Sequence, residues 1–176
     1  MRSRTPLLIA AFVLVLDQLT KHWAVNALAD GHTIDVVGSL RFNLAFNKGM
    51  AFSQGEGWGP VIGVVALVVI VVLLVSIGET QSRWYPLAVG MIIGGAVGNV
   101  ADRLFRGDAW LRGGVVDFID VQWWPIFNVA DIGVTVGGAL LLLTSLLTHE
   151  EKPDVAIVNA DELDAEPSEG GSDHAA

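Results

Sequence analysis

The amino-acid sequence predicts a membrane all-α fold, a bundle of four transmembrane helices carrying a small β-like segment outside the bilayer. Three observations predict it. Four long apolar stretches occupy most of a chain of only 176 residues, whose mean hydropathy is +0.55 with 52% hydrophobic residues. Tryptophans mark the ends of those stretches. The charge is concentrated outside them, since the segment from His149 onward carries nine acids and one Lys, net −8, and the first 148 residues are net −1.

The first stretch, 6–28, is apolar except near its end, where Asp17, Gln18, Lys21 and His22 intrude. Arg2 and Arg4 before an apolar run resemble a secretory signal peptide. However, Asp17 and Lys21 stand where a cleavage region would be, and no A-x-A-like site follows, so a retained helix is expected. The second stretch, 60–77, has 18 residues without a charge. The third, 85–103, is rich in small residues up to Ala101 and ends on Asp102 and Arg103. The fourth, 125–147, is apolar apart from Asn128, Asp131 and a few hydroxyls. A span needs about 20 apolar residues, and all four fit. Soluble helices would leave too little polar surface to cover four such stretches. Trp23, Trp58, Trp84 with Tyr85, and Trp123 with Trp124 sit at span ends, where bilayer interfaces favour amphipathic rings.

Arg2 and Arg4 favour a cytoplasmic N-terminus, and four spans return the C-terminus to the same side. Two external segments follow, roughly 29–58 and 104–124. The first contains Ile34–Val37 and Leu40–Phe46, short β-like runs split by Gly38 and Ser39. The expected domain organisation is one membrane unit over 1–148 and an acidic tail over 149–176. The tail is rich in Ala, Gly, Ser and Pro and buries too little apolar surface to fold.

Several functions are excluded or disfavoured. There is no basic stripe, which argues against nucleic-acid binding. The chain has no cysteine, so it has no disulfide framework, Cys-based metal site or thiol nucleophile. The four histidines, His22, His32, His149 and His174, form no H-E-x-x-H. G-x-S-x-G and Walker A patterns are absent. No cofactor and no metal are expected.

The polar residues fall into five blocks. In D-Q-L-T-K, Asp17 and Lys21 are spaced i, i+4 and share a helix face. They pair either as part of a site or as a membrane-end ion pair with a snorkelling Lys. F-N-K-G-M-A-F, Phe46–Phe52, offers Asn47 beside a turn-forming Gly49. In G-N-V-A-D-R, Asn99, Asp102 and Arg103 share a face if the helix continues. G-V-V-D-F-I-D places Asp117 among apolar neighbours, with Asp120 as its rival. In F-N-V-A-D, Asn128 and Asp131 are i, i+3. With a helix starting at Pro125, Asp131 lies about 9 Å along it, below the interface. An acid there is costly unless it has a task.

Two carboxylates that approach closely cannot both ionise easily, so they share a proton. The ionised one can take a proton from a water that attacks an amide, and the protonated one can give its proton to the carbonyl oxygen. That is aspartic-protease chemistry. The alternative is a small proton-coupled transporter, with Asp17, Asp102 and Asp131 as a relay. It would usually carry an internal repeat, and none is found.

These blocks, in this order on four spans, resemble the signal peptidase II (prolipoprotein signal peptidase) family. The resemblance implies a catalytic dyad at the Asp of V-V-D-F and the Asp of F-N-V-A-D, here Asp117 and Asp131. It implies substrate-binding or site-shaping roles for Asp17, Lys21, Asn47, Asn99, Asp102, Arg103, Asn128 and Ala130. The implied activity is removal of the signal peptide from diacylglyceryl-modified prolipoproteins, with cleavage just before the lipid-modified Cys. The implied setting is the bacterial cytoplasmic (inner) membrane, with both termini cytoplasmic and the active site at the external face. Implied partners are the prolipoprotein, membrane lipid and a globomycin-type inhibitor, and a monomer is expected. Two departures stand out. Met50 replaces the first Ala of the usual N-x-G-A-A-F, and the connection from Arg103 to Val115 is longer than usual.

Overall fold

The computed structural model describes residues 4–49, 57–77, 82 and 84–149. Met50 to Phe52 of the second block and the acidic tail beyond His149 lie outside these residues. In chain order the elements are α1 (Thr5–Ala27), β1 (Ile34–Val37), β2 (Leu40–Asn47), α2 (Gly59–Ser76), α3 (Tyr85–Phe105), β3 (Val115–Asp120) and α4 (Val129–His149). All four helices are long and apolar enough to cross a membrane. Pro6, Pro60 and Pro86 stand in the first turns of α1, α2 and α3, where a missing N–H costs nothing.

The helix α3 is the centre of the bundle and packs against α1, α2 and α4. Two-thirds of its apolar window is buried, against 17% for α2, most of whose valines face outward as lipid-facing residues do. Small residues make this possible. A Cβ on Gly94 would lie 2.6 Å from the Ala10 carbonyl of α1, and one on Gly95 would strike the Ala130 carbonyl of α4. Without hydrophobic attraction between helices in lipid, such close backbone approach supplies the packing that holds spans together.

The three strands form an antiparallel sheet in the order β1-β2-β3. The first two are the β-like runs read from the sequence, turning at Gly38 (φ +56°). The third, β3, was not anticipated. V-V-D-F-I-D is nevertheless a six-residue β-branched and aromatic run bounded by Gly113–Gly114 and a Trp-Trp-Pro turn, which is a strand signature. Ala45 pairs with Asp117 and Asn47 with Val115. The sheet docks on the end of α1 through Trp23, Phe42 and Phe118, whose ring centroids lie 5.1–6.1 Å apart.

The fourth helix starts later than expected, at Val129 instead of Pro125. Residues before it are taken by the sheet: Phe127 exchanges backbone hydrogen bonds with Ile119 in both directions, at 2.9 and 3.1 Å. A proline-led helix cannot form where its backbone is already paired as a strand.

Candidate active site

The start of α4 fixes Asp131. The Asn128 Oδ1 accepts from the Asp131 N–H at 2.9 Å, and the Asp131 Oδ2 accepts from the Asn128 N–H at 3.1 Å. This reciprocal pair is a capping box, with Asn128 as N-cap and Asp131 three residues on. Asp131 therefore lies in the first turn, not six residues into a helix. An acid there also meets the positive end of the helix dipole. The pattern Asn-x-x-Asp before an apolar run was the signal for this arrangement.

Strand β3 brings Asp117 to the same place. Asn128 Nδ2 donates to Asp117 Oδ1 at 2.6 Å, so Asn128 links the two acids, bonding Asp117 through its side chain and the Asp131 carboxylate through its backbone N–H. Asn99 works from the other side: its Nδ2 donates to Asp131 Oδ1 at 2.8 Å, and its Oδ1 accepts from Lys21 Nζ and Asn128 Nδ2. Burial pushes the Asp117 carboxyl up to about 7, and the Asp131 carboxylate beside it pushes the same way. Hydrogen bonds from Asn128 and Asn47 oppose this without reversing it. Arg103 is 6% exposed, and its guanidinium lies within electrostatic reach of Asp117, Asp131 and Asp102.

Behind the pair stands a buried ion network. Lys21 does not snorkel: it is fully buried and bonds Asp17 and Asp102, both at 2.9 Å, as well as Asn99. Asp17 accepts from the Ala130 N–H at 2.9 Å and Asp102 from the Val116 N–H at 3.1 Å. Each of these backbone amides immediately precedes one of the two central acids. Asp102 also bonds Arg106, at 2.7 Å, because i, i+4 residues share a helix face. Arg106 was not singled out from the sequence, and Gln18, which belongs to the D-Q-L-T-K block but was given no role, donates to Asp17 at 3.1 Å. Among the described residues every buried side-chain polar atom has a partner.

The rival acid, Asp120, is held elsewhere. Its carboxylate bonds Arg41 at 2.8 Å, Asn43 at 3.2 Å and the Gln122 N–H at 2.7 Å. Among the described residues no group of three or more His, Asp or Glu is placed to hold a metal ion.

The acids open onto a cleft of about 920 Å³. Its polar end holds Asn47, Asn99, Arg103, Asp117 and Asp131. Its apolar walls are Ile62, Val65, Ala66 and Val69 of α2, and Val134 of α4, with Ile92 and Ala96 of α3 as floor. The cleft can thus hold a polar backbone at one end and apolar chains along the other.

Four membrane spans with two carboxylates linked through Asn128 beside an apolar cleft fit a multi-pass membrane hydrolase of the aspartic type. The family model for signal peptidase (SPase) II matches residues 9–147, and the chain belongs to that family. The lipoprotein signal peptidase of Mycolicibacterium smegmatis is 43% identical over 98% of this chain and 73% of its own length. That of Mycobacterium leprae is 44% identical over 82% of this chain and 73% of its own. Among solved structures, a bacterial membrane enzyme determined by the in meso method at 2.3 Å resolution superposes with a TM-score of 0.71. It is 28% identical, and the match covers 85% of this chain and 92% of that one. The chain is thus a bacterial multi-pass membrane peptidase, and the transporter alternative finds no support.

Proposed function

We propose that this peptidase removes the signal peptide from diacylglyceryl-modified prolipoproteins, cutting just before the lipid-modified Cys, with Asp117 and Asp131 as its catalytic pair. The observation that carries the reading is Asn128, whose side-chain amide donates to the Asp117 carboxylate and whose backbone N–H donates to the Asp131 carboxylate, beside the cleft. Asp117, with its carboxyl raised to about 7, holds the shared proton near neutral pH. Asp131 is the base. It takes a proton from a water whose oxygen adds to the scissile carbonyl carbon, while Asp117 gives its proton to the carbonyl oxygen. Collapse of the tetrahedral intermediate breaks the C–N bond as the new amine takes up the proton held by Asp131 and a hydroxyl of the intermediate returns its proton to Asp117.

The remaining residues prepare this geometry. Asn99 and Asn128 orient the carboxylates, and Asn47 and Arg103 offer donors to the precursor backbone. Asp17, Lys21 and Asp102 hold the backbone at Ala130 and Val116, and so set the position of each acid. The acyl chains and the apolar signal segment lie along α2 and α4, against membrane lipid. The termini are on the cytoplasmic side of the inner membrane and the acids at its external face, where a translocated precursor presents its cleavage site. A monomer suffices, since one chain supplies both acids.

The test is incubation of the purified protein with a diacylglyceryl-modified precursor and with the same precursor unmodified. Release of the signal peptide from the modified form alone, blocked by globomycin, is expected. No release from the modified form under conditions where the protein is folded would reject the substrate assignment.

A further inference from the structure

Beyond Arg106 at its start, the loop between α3 and β3 has no part in the chemistry above, yet it contains a buried and strained residue. Its ends are stapled together: the Gly113 N–H donates to the Arg103 carbonyl at 3.0 Å, and a Cβ on Gly107 would lie 2.7 Å from the Gly113 backbone. At its tip Leu111 has φ +55° and no solvent exposure. A bulky residue in the left-handed region is a conformational outlier, and such strain persists only where the surroundings impose it. Here the surroundings are the first turns of α2. A Cβ on Gly63 would lie 2.9 Å from Leu111 Cδ2 and 3.1 Å from Cδ1, so the side chain fills a notch that exists only because residue 63 is glycine. One turn earlier, a Cβ on Gly59 would lie 3.5 Å from the Leu111 carbonyl oxygen and 3.0 Å from that of Lys48. Leu111 also belongs to the apolar core that joins Val100 of α3 to Ile70 of α2.

The position of α2 matters because α2 is one wall of the cleft, through Ile62, Val65, Ala66 and Val69. It packs on α3, and in its first turns only Gly59 and Gly63 are buried. Ala66, three residues after Gly63, touches both the cleft and the core that contains Leu111. We infer that Leu111 is a positioning residue for substrate selection, a wedge in the Gly63 notch that sets how far the α2 wall stands from α4 and hence which acyl chains the cleft accepts. The inference rests on the proposed substrate, because a cleft that held no acyl chain would have no width to select.

Leu111→Ala removes the wedge, and Gly63→Ala pushes it out. Both are to be assayed against precursors of one peptide sequence carrying diacylglyceryl groups of short, long and methyl-branched chains. In parallel, spin labels at Val68 of α2 and Val136 of α4, both exposed, read the width of the cleft directly. A methylene in an apolar pocket changes discrimination by about tenfold at the low end. The expected result is a change of about that size in the ratio of kcat/KM between chain types, carried by KM with kcat little altered. The inter-label distance should move in opposite directions in the two variants, and the volume-conserving Leu111→Met should change neither.

A merely structural Leu111 would lower folded yield or scale every substrate alike, and equal ratios across the series in folded Leu111→Ala would overturn the inference. Should Leu111→Ala fail to insert, Gly63→Ala and the label distances decide alone, and an unmoved distance with unmoved ratios would overturn it. Failure of the wild-type protein to cleave any acylated precursor would instead refute the substrate assignment.

Discussion

Asp117 and Asp120 stand three residues apart on one short strand and meet opposite environments. An odd separation on a strand sends side chains to opposite faces. One face turns Asp117 toward Asp131, Asn128 and Asn99, where burial and a neighbouring negative charge raise its carboxyl to about 7. The other turns Asp120 toward Arg41, Asn43 and the Gln122 amide. Burial also works against the charge of Asp120, but those donors outweigh it and hold its carboxyl below the ordinary carboxylate range. The same residue type is thus poised to exchange a proton on one face and locked as an anion on the other. The difference comes from the partners, since both side chains are nearly inaccessible.

The largest expected effect lies in activity. Asp117→Asn and Asp131→Asn each remove one ionisable group at nearly constant shape. Loss of a general acid or base costs about 10²–10⁴-fold, and each variant should fall to the bottom of a cleavage assay. Asp120→Asn should stay within a few-fold of wild type. An equal loss at Asp120 would abolish the contrast between the two faces. The pH profile sharpens it further. Activity needs one proton on the pair, and that proton leaves as pH rises through about 7, so kcat/KM should decline above neutrality. A flat profile to pH 9 would contradict a shared proton.

Arg103 comes next. It is nearly buried and faces both acids, so its guanidinium can serve the precursor backbone only if the acids do not consume its charge. Hydrogen bonds to charged groups contribute about 1.5–3 kcal/mol, so Arg103→Ala should cost roughly one to two decades in kcat/KM. Asn47→Ala loses a neutral donor worth about 0.5–1.5 kcal/mol and should cost less. Globomycin affinity should weaken in both. Stable variants with unchanged cleavage and inhibitor binding would make both residues scaffold.

Much of this was legible in the sequence, for physical reasons. A span cannot hide its hydropathy, and an acid in an apolar run cannot hide its cost, so the helices and both central acids could be read directly. The i, i+4 spacing of Asp17 and Lys21 indicated their pairing, which the fold bears out. What could not be read was set by partners distant in sequence. Lys21 is buried because Asp102 and Asn99, on another helix, complete its three bonds. Phe127 is not helical because Ile119 occupies its backbone groups. Leu111 gives no sign of burial in L-F-R-G-D-A-W-L-R-G-G, since the notch that receives it is a glycine nearly fifty residues earlier. Only β3 and the capping box were local patterns that were open to being read and were not.

The smallest effects, in stability, should have opposite signs on the two faces. Asp117 has a folded carboxyl near 7 against an ordinary value of 3.8. Between those values the folded state binds a proton that the unfolded chain has released. Stability therefore falls as pH rises through that window and stays low above it. Roughly three pH units at about 1.4 kcal/mol each set an upper bound of ~4 kcal/mol. Asp117→Asn escapes this cost, while its remaining oxygen can still accept from Asn128. The inactive variant should then melt above wild type at pH 8, and the gap should close toward pH 4. Asp120 runs the other way. Its folded value lies below 3.8, so its contribution is present at neutral pH and is lost only as pH falls through that lower value. Arg41 is a third exposed and partly screened, so Asp120→Asn should cost about 1 kcal/mol at pH 7, shrinking in acid. Thermal unfolding of both variants in one detergent, from about pH 2 to pH 8, measures the two slopes together. Parallel slopes would mean that the faces of β3 differ in geometry but not in electrostatics, and the proton assigned to Asp117 would have to be placed elsewhere.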